Sequence, residues 1–217
     1  MRNFSLFRSA SLSLLMAALL WSQAQRQQPH LHPEPPKPAA AYDQPLTGYE
    51  VVALFAEYVQ NLEKGLTEAF QKPIRTGTAG VVTLTGKHPA WVVDALKEVK
   101  ARGAIPPQFN GAKPMPRYQV GMMLARYAKR LDARMRAILG DPIGKTEFRT
   151  QPRIALDPKH PAYADLQFLA QGAWVGAGSP LYYKPTEPIL GKELPDMLKD
   201  LTQRILERYR DEPHLKE

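Results

Sequence analysis

The sequence predicts a mainly α fold, a pseudo-threefold module of helix-loop-helix repeats whose first repeat is incomplete. Three observations predict it. Stretches beginning at Val51, Val120 and Leu194 each place apolar or aromatic residues at steps of three and four, the stripe of an amphipathic helix. The three stripes align with one another without a gap. Upstream of the second and third, LTGKHPAW (Leu84 to Trp91) and LDPKHPAY (Leu156 to Tyr163) repeat leucine, lysine, histidine, proline and alanine at equal spacing, with an aromatic after them.

In chain order, the first element is a leader. Arg2 and Arg8 precede an apolar run from Ala10 to Trp21, and Ser22, Gln23 and Ala24 follow it. This is the pattern of a secretory signal peptide over residues 1–24, cleaved after Ala24. The run of about 12 apolar residues falls short of the ~20 that a spanning helix needs, so no transmembrane span is expected after cleavage. The stretch from Gln25 to Ala41 holds the first cluster of the 21 prolines and reads as an extended polar linker.

The module is expected over 42–217, with repeats at about 42–70, 84–139 and 156–210. The aligned positions are Val51, Val120 and Leu194; Leu54, Met123 and Met197; and Phe55, Leu124 and Leu198. Tyr58, Tyr127 and Leu201 follow, then Leu62, Leu131 and Ile205, and finally Leu66, Met135 and Tyr209. Thr47 and Glu50 have capping-box spacing and mark the start of the first long helix. Short helices are expected over Asp94 to Ile105 and Ala164 to Val175. The first repeat lacks one, because the proline-rich linker occupies its place.

Composition bounds the chemistry. With 44% apolar residues the chain can bury a core, and with no cysteine it has no disulfides, thiolate metal sites or cysteine nucleophile. The formal charge is +8. Loss of Arg2 and Arg8 with the leader leaves 8 − 2 = +6, which suits an anionic partner. No phosphate loop, HExxH zinc motif or serine nucleophile elbow is present, so the expectation is a non-catalytic protein without cofactor or metal. His88 and His160 share an HPA setting that reads as a helix start, and His30 and His32 in the linker lack a third ligand.

These segments resemble the S-layer homology family of bacterial envelope proteins. The third unit carries the resemblance best, in HPAYADLQFLAQGAWVGAGSPLYYKPTEPILGKE from His160 to Glu193, and the second carries it from His88 to Gln119 with a two-residue insertion. The resemblance covers about residues 42–210. It implies a non-catalytic anchor that binds an anionic, peptidoglycan-linked wall polysaccharide in the periplasm, cell wall or cell surface, without nucleic acid. The family's TRAE-like segment corresponds to TGYE (Thr47 to Glu50), PRYQ (Pro116 to Gln119) and LGKE (Leu190 to Glu193), and only Arg117 keeps the arginine.

The resemblance implies Arg117, Trp91, Tyr163, Tyr183, Lys184 and Lys192 as glycan-binding candidates. Arg117 has the fork that pairs with a ketal carboxylate, or it is a solvated arginine at a helix start. Trp91, Tyr163 and either Tyr182 or Tyr183 offer rings for a sugar face, and Trp91 and Tyr163 read equally as core plugs. Lys184 and Lys192 would supply positive charge in the third unit or stand solvated. A charge-assisted bond contributes about 1.5–3 kcal/mol against the about 8.2 kcal/mol of micromolar binding, so one arginine does not suffice. A module that keeps the fold but binds a protein partner is the alternative.

Overall fold

The computed structural model describes residues 43–78, 80, 82–144 and 147–209. The expected leader, the linker with His30 and His32, and residues 210–217 lie outside the described residues. The chain is mainly helical, and no strand forms among the described residues.

Helix α1 (Gly48–Phe70) starts at the capping box read from the sequence. Thr47 Oγ1 accepts from the Glu50 amide at 3.3 Å, and Glu50 Oε2 accepts from the Thr47 amide at 2.7 Å. A 3-10 turn (Ala90–Val92) leads into α2 (Val93–Ala101), and α3 (Arg117–Leu139), α4 (Tyr163–Gln171), α5 (Pro180–Tyr183) and α6 (Glu193–Tyr209) follow. The four-residue α5, capped by Ser179 with Pro180 at its first position, is a helix that the stripe pattern does not reveal.

Both short helices stop earlier than expected, at Ala101 and Gln171. Gly103 and Ala173 take left-handed backbone (φ 62° and 48°). The Ala104 and Trp174 amides then reach back to the Val99 and Leu169 carbonyls at 3.1 and 2.9 Å. The Gly103 and Ala173 amides bond the Lys100 and Ala170 carbonyls at 2.8 and 3.0 Å. This is a Schellman ending in both places, and it satisfies carbonyls that the helix leaves without partners.

All six aligned positions meet in one hydrophobic core. Phe55, Leu124 and Leu198 are buried in it, as is every other stripe residue except Leu54, which packs half-buried against it. The Phe55 and Tyr127 rings meet edge-to-face at 5.7 Å, and the Tyr58 hydroxyl donates to the Leu198 carbonyl at 2.7 Å. Helix α1 is thereby tied to both α3 and α6. Short helix α2 packs on α1, and α4 packs on α3.

The three long helices spring from a closed ring of backbone hydrogen bonds. The Leu46 amide donates to the Ile189 carbonyl, Ile189 to Met115, and Met115 back to Leu46, each at 2.9 Å. Proline precedes each member, as Pro45, Pro114 and Pro188. The ring uses only the central residue's amide and carbonyl, so the missing N–H of proline costs no bond there, while its fixed φ holds the segment extended. A second tier repeats the cycle two residues further along. Gly48 donates to Lys113, Arg117 to Glu187 and Gly191 to Gln44, at 3.0, 2.9 and 3.0 Å. The first-tier groups belong to buried Leu46, Met115 and Ile189, where an unpaired amide or carbonyl would be costly.

Candidate functional site

The ring creates three junctions, in each of which the start of one long helix meets a loop belonging to another. At the first, the Tyr49 amide donates to Gly111 at 2.8 Å. The Tyr49 ring sits edge-on among His88, Trp91 and Phe109, with centroids 6.0, 6.3 and 6.2 Å away. A side chain at Gly111 would run into the Tyr49 ring, which gives that glycine its reason. His88 Nε2 lies 3.0 Å from the Thr85 carbonyl, which can only accept, so Nε2 carries the proton. Its Nδ1 is then the acceptor for the Tyr49 hydroxyl at 3.1 Å.

The second junction repeats this plan with added charge. Tyr118, three residues past Met115 as Tyr49 is three past Leu46, donates its amide to Pro185 at 2.8 Å and packs edge-to-face on His160 at 4.8 Å. His160 Nδ1 accepts from the Ala162 amide at 3.1 Å, just ahead of α4.

Arg117 lies beside this junction with its fork already filled. Nε and Nη2 donate to the two oxygens of Glu193 at 2.8 and 2.7 Å. Nη1 reaches Glu187 Oε2 at 3.2 Å and the Lys184 carbonyl at 3.3 Å. Its side chain is only 4% exposed, so the expectation of a solvated arginine is corrected. Burial by itself lowers an arginine's pKa, but the bonds and charge of Glu193 and Glu187 outweigh it and raise the guanidinium above its usual range. A buried fork needs its carboxylates, because an unpaired charge there would be costly. Arg117 is a tie between α3, α6 and the loop before α6.

The remaining candidates are dispersed. Lys184 is exposed and 3.5 Å from Glu187, which links it to Arg117. Tyr183 is 50% exposed, and its hydroxyl donates to the Ala177 carbonyl at 2.8 Å. Tyr182 is buried in the core with its hydroxyl on the Val175 carbonyl at 3.3 Å, which corrects its reading as a sugar platform. Tyr163 is half-buried at the first position of α4. Trp91 belongs to the first junction. Lys192 belongs to the third, where it donates to Asp43 at 2.6 Å while Glu193 caps its own helix through the Leu190 amide at 3.0 Å.

Sequence reading therefore marked residues at all three junctions and missed the rings that fill two of them. Tyr49, Tyr118 and Phe109 were not singled out, although the tyrosines occupy the same place in TGYE and PRYQ. The shared proline before each ring residue was a further signal. His88 and His160 stand just ahead of helix starts and face these tyrosines.

A cavity of about 250 Å³ lies between the 176–180 loop and the first turns of α6, lined by Ser179, Pro180, Glu193, Asp196, Met197 and Asp200. It falls below the ~300 Å³ at which small-molecule pockets begin. Asp200 already accepts from the Gly176 amide at 2.7 Å. No cluster of three or more histidine or carboxylate side chains among the described residues is placed to hold a metal ion. No helix among them is long and apolar enough to cross a membrane. Comparison with protein-family models, with curated proteins and with solved structures found no match.

Proposed function

We propose that this chain is an exported, non-catalytic envelope-association module of S-layer homology type, binding an acidic wall carbohydrate at the junctions between its units. One observation carries the reading. The backbone ring places Leu46, Met115 and Ile189 as equivalents, and five residues beyond each stand Val51, Val120 and Leu194. That is the register in which the three sequence stripes align. Half-buried Trp91 and exposed Tyr183 and Lys184 provide ring faces and positive charge beside the first two junctions.

A second reading is favoured by Arg117. Its guanidinium is saturated by Glu193 and Glu187, so the best cation for a ketal carboxylate is engaged internally. A module that keeps this architecture while contacting a protein partner fits that chemistry.

Co-sedimentation with purified cell-wall sacculi separates the readings. The carbohydrate reading predicts retention that disappears once the accessory polymer is stripped from the sacculi, and that falls for Tyr183→Ala and Lys184→Ala variants with unchanged unfolding curves. Equal retention on stripped sacculi, or none on intact ones, contradicts it. Arg117→Ala is unsuited to this test, because it also unpairs two carboxylates.

A further inference from the structure

Arg126, Arg130 and Arg134 stand at successive i, i+4 positions on one face of α3, about 6 Å apart along the helix. Each reaches sideways to a different backbone carbonyl. Arg126 Nη1 donates to Ile105 at 2.8 Å, Arg130 Nη1 to Ala101 at 3.4 Å and Arg134 Nη2 to Pro73 at 3.1 Å. The acceptors belong to the end of α2, the chain just after it and the segment after α1. Gly103, where a side chain would run into the Arg130 guanidinium, leaves the room that this crossing needs.

Arg208 is likewise held by a carbonyl, that of Gly172 at 2.6 Å, but it stands alone at the end of α6, whereas these three form a row. Arg102, Arg117, Arg136 and Arg204 all end on carboxylates within 3.0 Å. A carbonyl fixes a guanidinium in place without cancelling its charge. Arg126 has Asp165 only at 4.0 Å, and that carboxylate is held by Lys129 at 2.7 Å. Among the described residues, Arg130 and Arg134 have no carboxylate partner, and both are exposed. Arg75, two residues past Pro73, is exposed at the same end.

We infer that this ladder is a docking track for a linear polyol-phosphate polymer. Guanidinium forks match the paired oxygens of a phosphate, and regular spacing along a rigid helix suits a flexible chain with one phosphate per short polyol unit. Nucleic-acid tracks add rings on which bases stack. None of the aromatic or cation–π contacts among the described residues involves these three arginines. The track begins nine residues, about 13 Å, beyond the start of α3, so it is separate from the junctions and does not rest on the carbohydrate reading.

The test is titration of the full chain with purified poly(glycerol phosphate). Binding should weaken with salt along a log–log slope of about −2, as for three neutralised phosphates. Arg130→Gln should weaken it about tenfold, and the Arg126→Gln, Arg130→Gln, Arg134→Gln triple variant should abolish it. A Lys64→Gln, Lys97→Gln, Arg204→Gln variant, with the same charge removed elsewhere, should stay within about twofold. Should the triple variant not fold, Arg130→Gln and Arg134→Gln singly carry the test. The inference is overturned by absence of binding, by equal loss in the two triple variants, or by equal or tighter binding of oligo(dT) or polygalacturonate.

Discussion

Helices α1 and α3 differ from α6 in what covers their outer faces, and the difference is written in the residues there. At positions equivalent by the ring register, α1 presents Val52, Ala56, Val59 and Glu63, and α3 presents Gly121, Ala125, Ala128 and Asp132. Helix α2 covers the first set and α4 the second. The corresponding residues of α6 are Pro195, Lys199, Thr202 and Leu206, of which Pro195 and Lys199 are exposed and the other two half-buried. Among the described residues no short helix packs along α6 as α2 packs on α1 and α4 on α3. Small apolar side chains let a second helix approach closely, as at Gly121, where Leu166 of α4 and Leu181 fill the space of a missing side chain. Where no helix sits, a lysine stays solvated and the face carries no large apolar patch.

The covered faces should therefore be sensitive to substitution and the bare one tolerant. The largest effect is expected at the tie between α2 and α1. Arg102, 8% exposed, donates to both oxygens of Glu63 at 3.0 and 2.8 Å, and Thr76 adds two further bonds to Glu63 Oε1. Arg102→Met leaves the buried Glu63 without its cation and should lower stability by about 3–5 kcal/mol in urea unfolding. A loss below about 1 kcal/mol would mean that the pair is not buried in solution. Leu166→Ala, at a fully buried contact of α4 with α3, should cost about 2–5 kcal/mol by the same measurement.

A smaller effect concerns pH. The hydrogen bond from Arg102 holds the Glu98 carboxyl below its ordinary value, against a lesser opposing desolvation. A depressed folded-state pKa stabilises above the unfolded value of 4.5 and is lost as pH falls through the folded value. Stability should therefore decline as pH drops below about 4.5, and the Glu98→Gln variant should show a shallower decline between the two pKa values. Superimposable profiles would remove Glu98 from the account. The smallest effect is expected on α6, where Lys199→Ala should change stability by no more than about 0.5 kcal/mol. A loss above 1 kcal/mol would show that this face is covered after all.

The parts of the fold that depend on periodicity were legible in the sequence. Each stripe residue announces its own face, so the core, the shared register and the Thr47–Glu50 cap could all be read locally. What escaped depends on partners distant in sequence. Arg117 looked like a surface arginine because Glu193, 76 residues away, cannot be inferred as its partner from spacing. Glu63 escapes notice for the same reason, with Arg102 39 residues away. The end of α4 escapes because an alanine, Ala173, takes the left-handed role, whereas at the end of α2 Gly103 is itself the local stop signal. The dispersal of Trp91, Arg117, Lys184 and Lys192 over three junctions follows from the cyclic pairing, in which every helix start meets a loop from elsewhere in the chain.

That cyclic pairing is tested most directly by amide hydrogen exchange at Leu46, Met115 and Ile189. With each amide bonded to the next member's carbonyl at 2.9 Å and all three residues buried, breaking any one bond opens the ring. The three amides should exchange together, only through global unfolding, with the same dependence on denaturant as the whole chain. Exchange of Leu46 or Ile189 at the rate of an open loop while Met115 stays protected would contradict the closed ring.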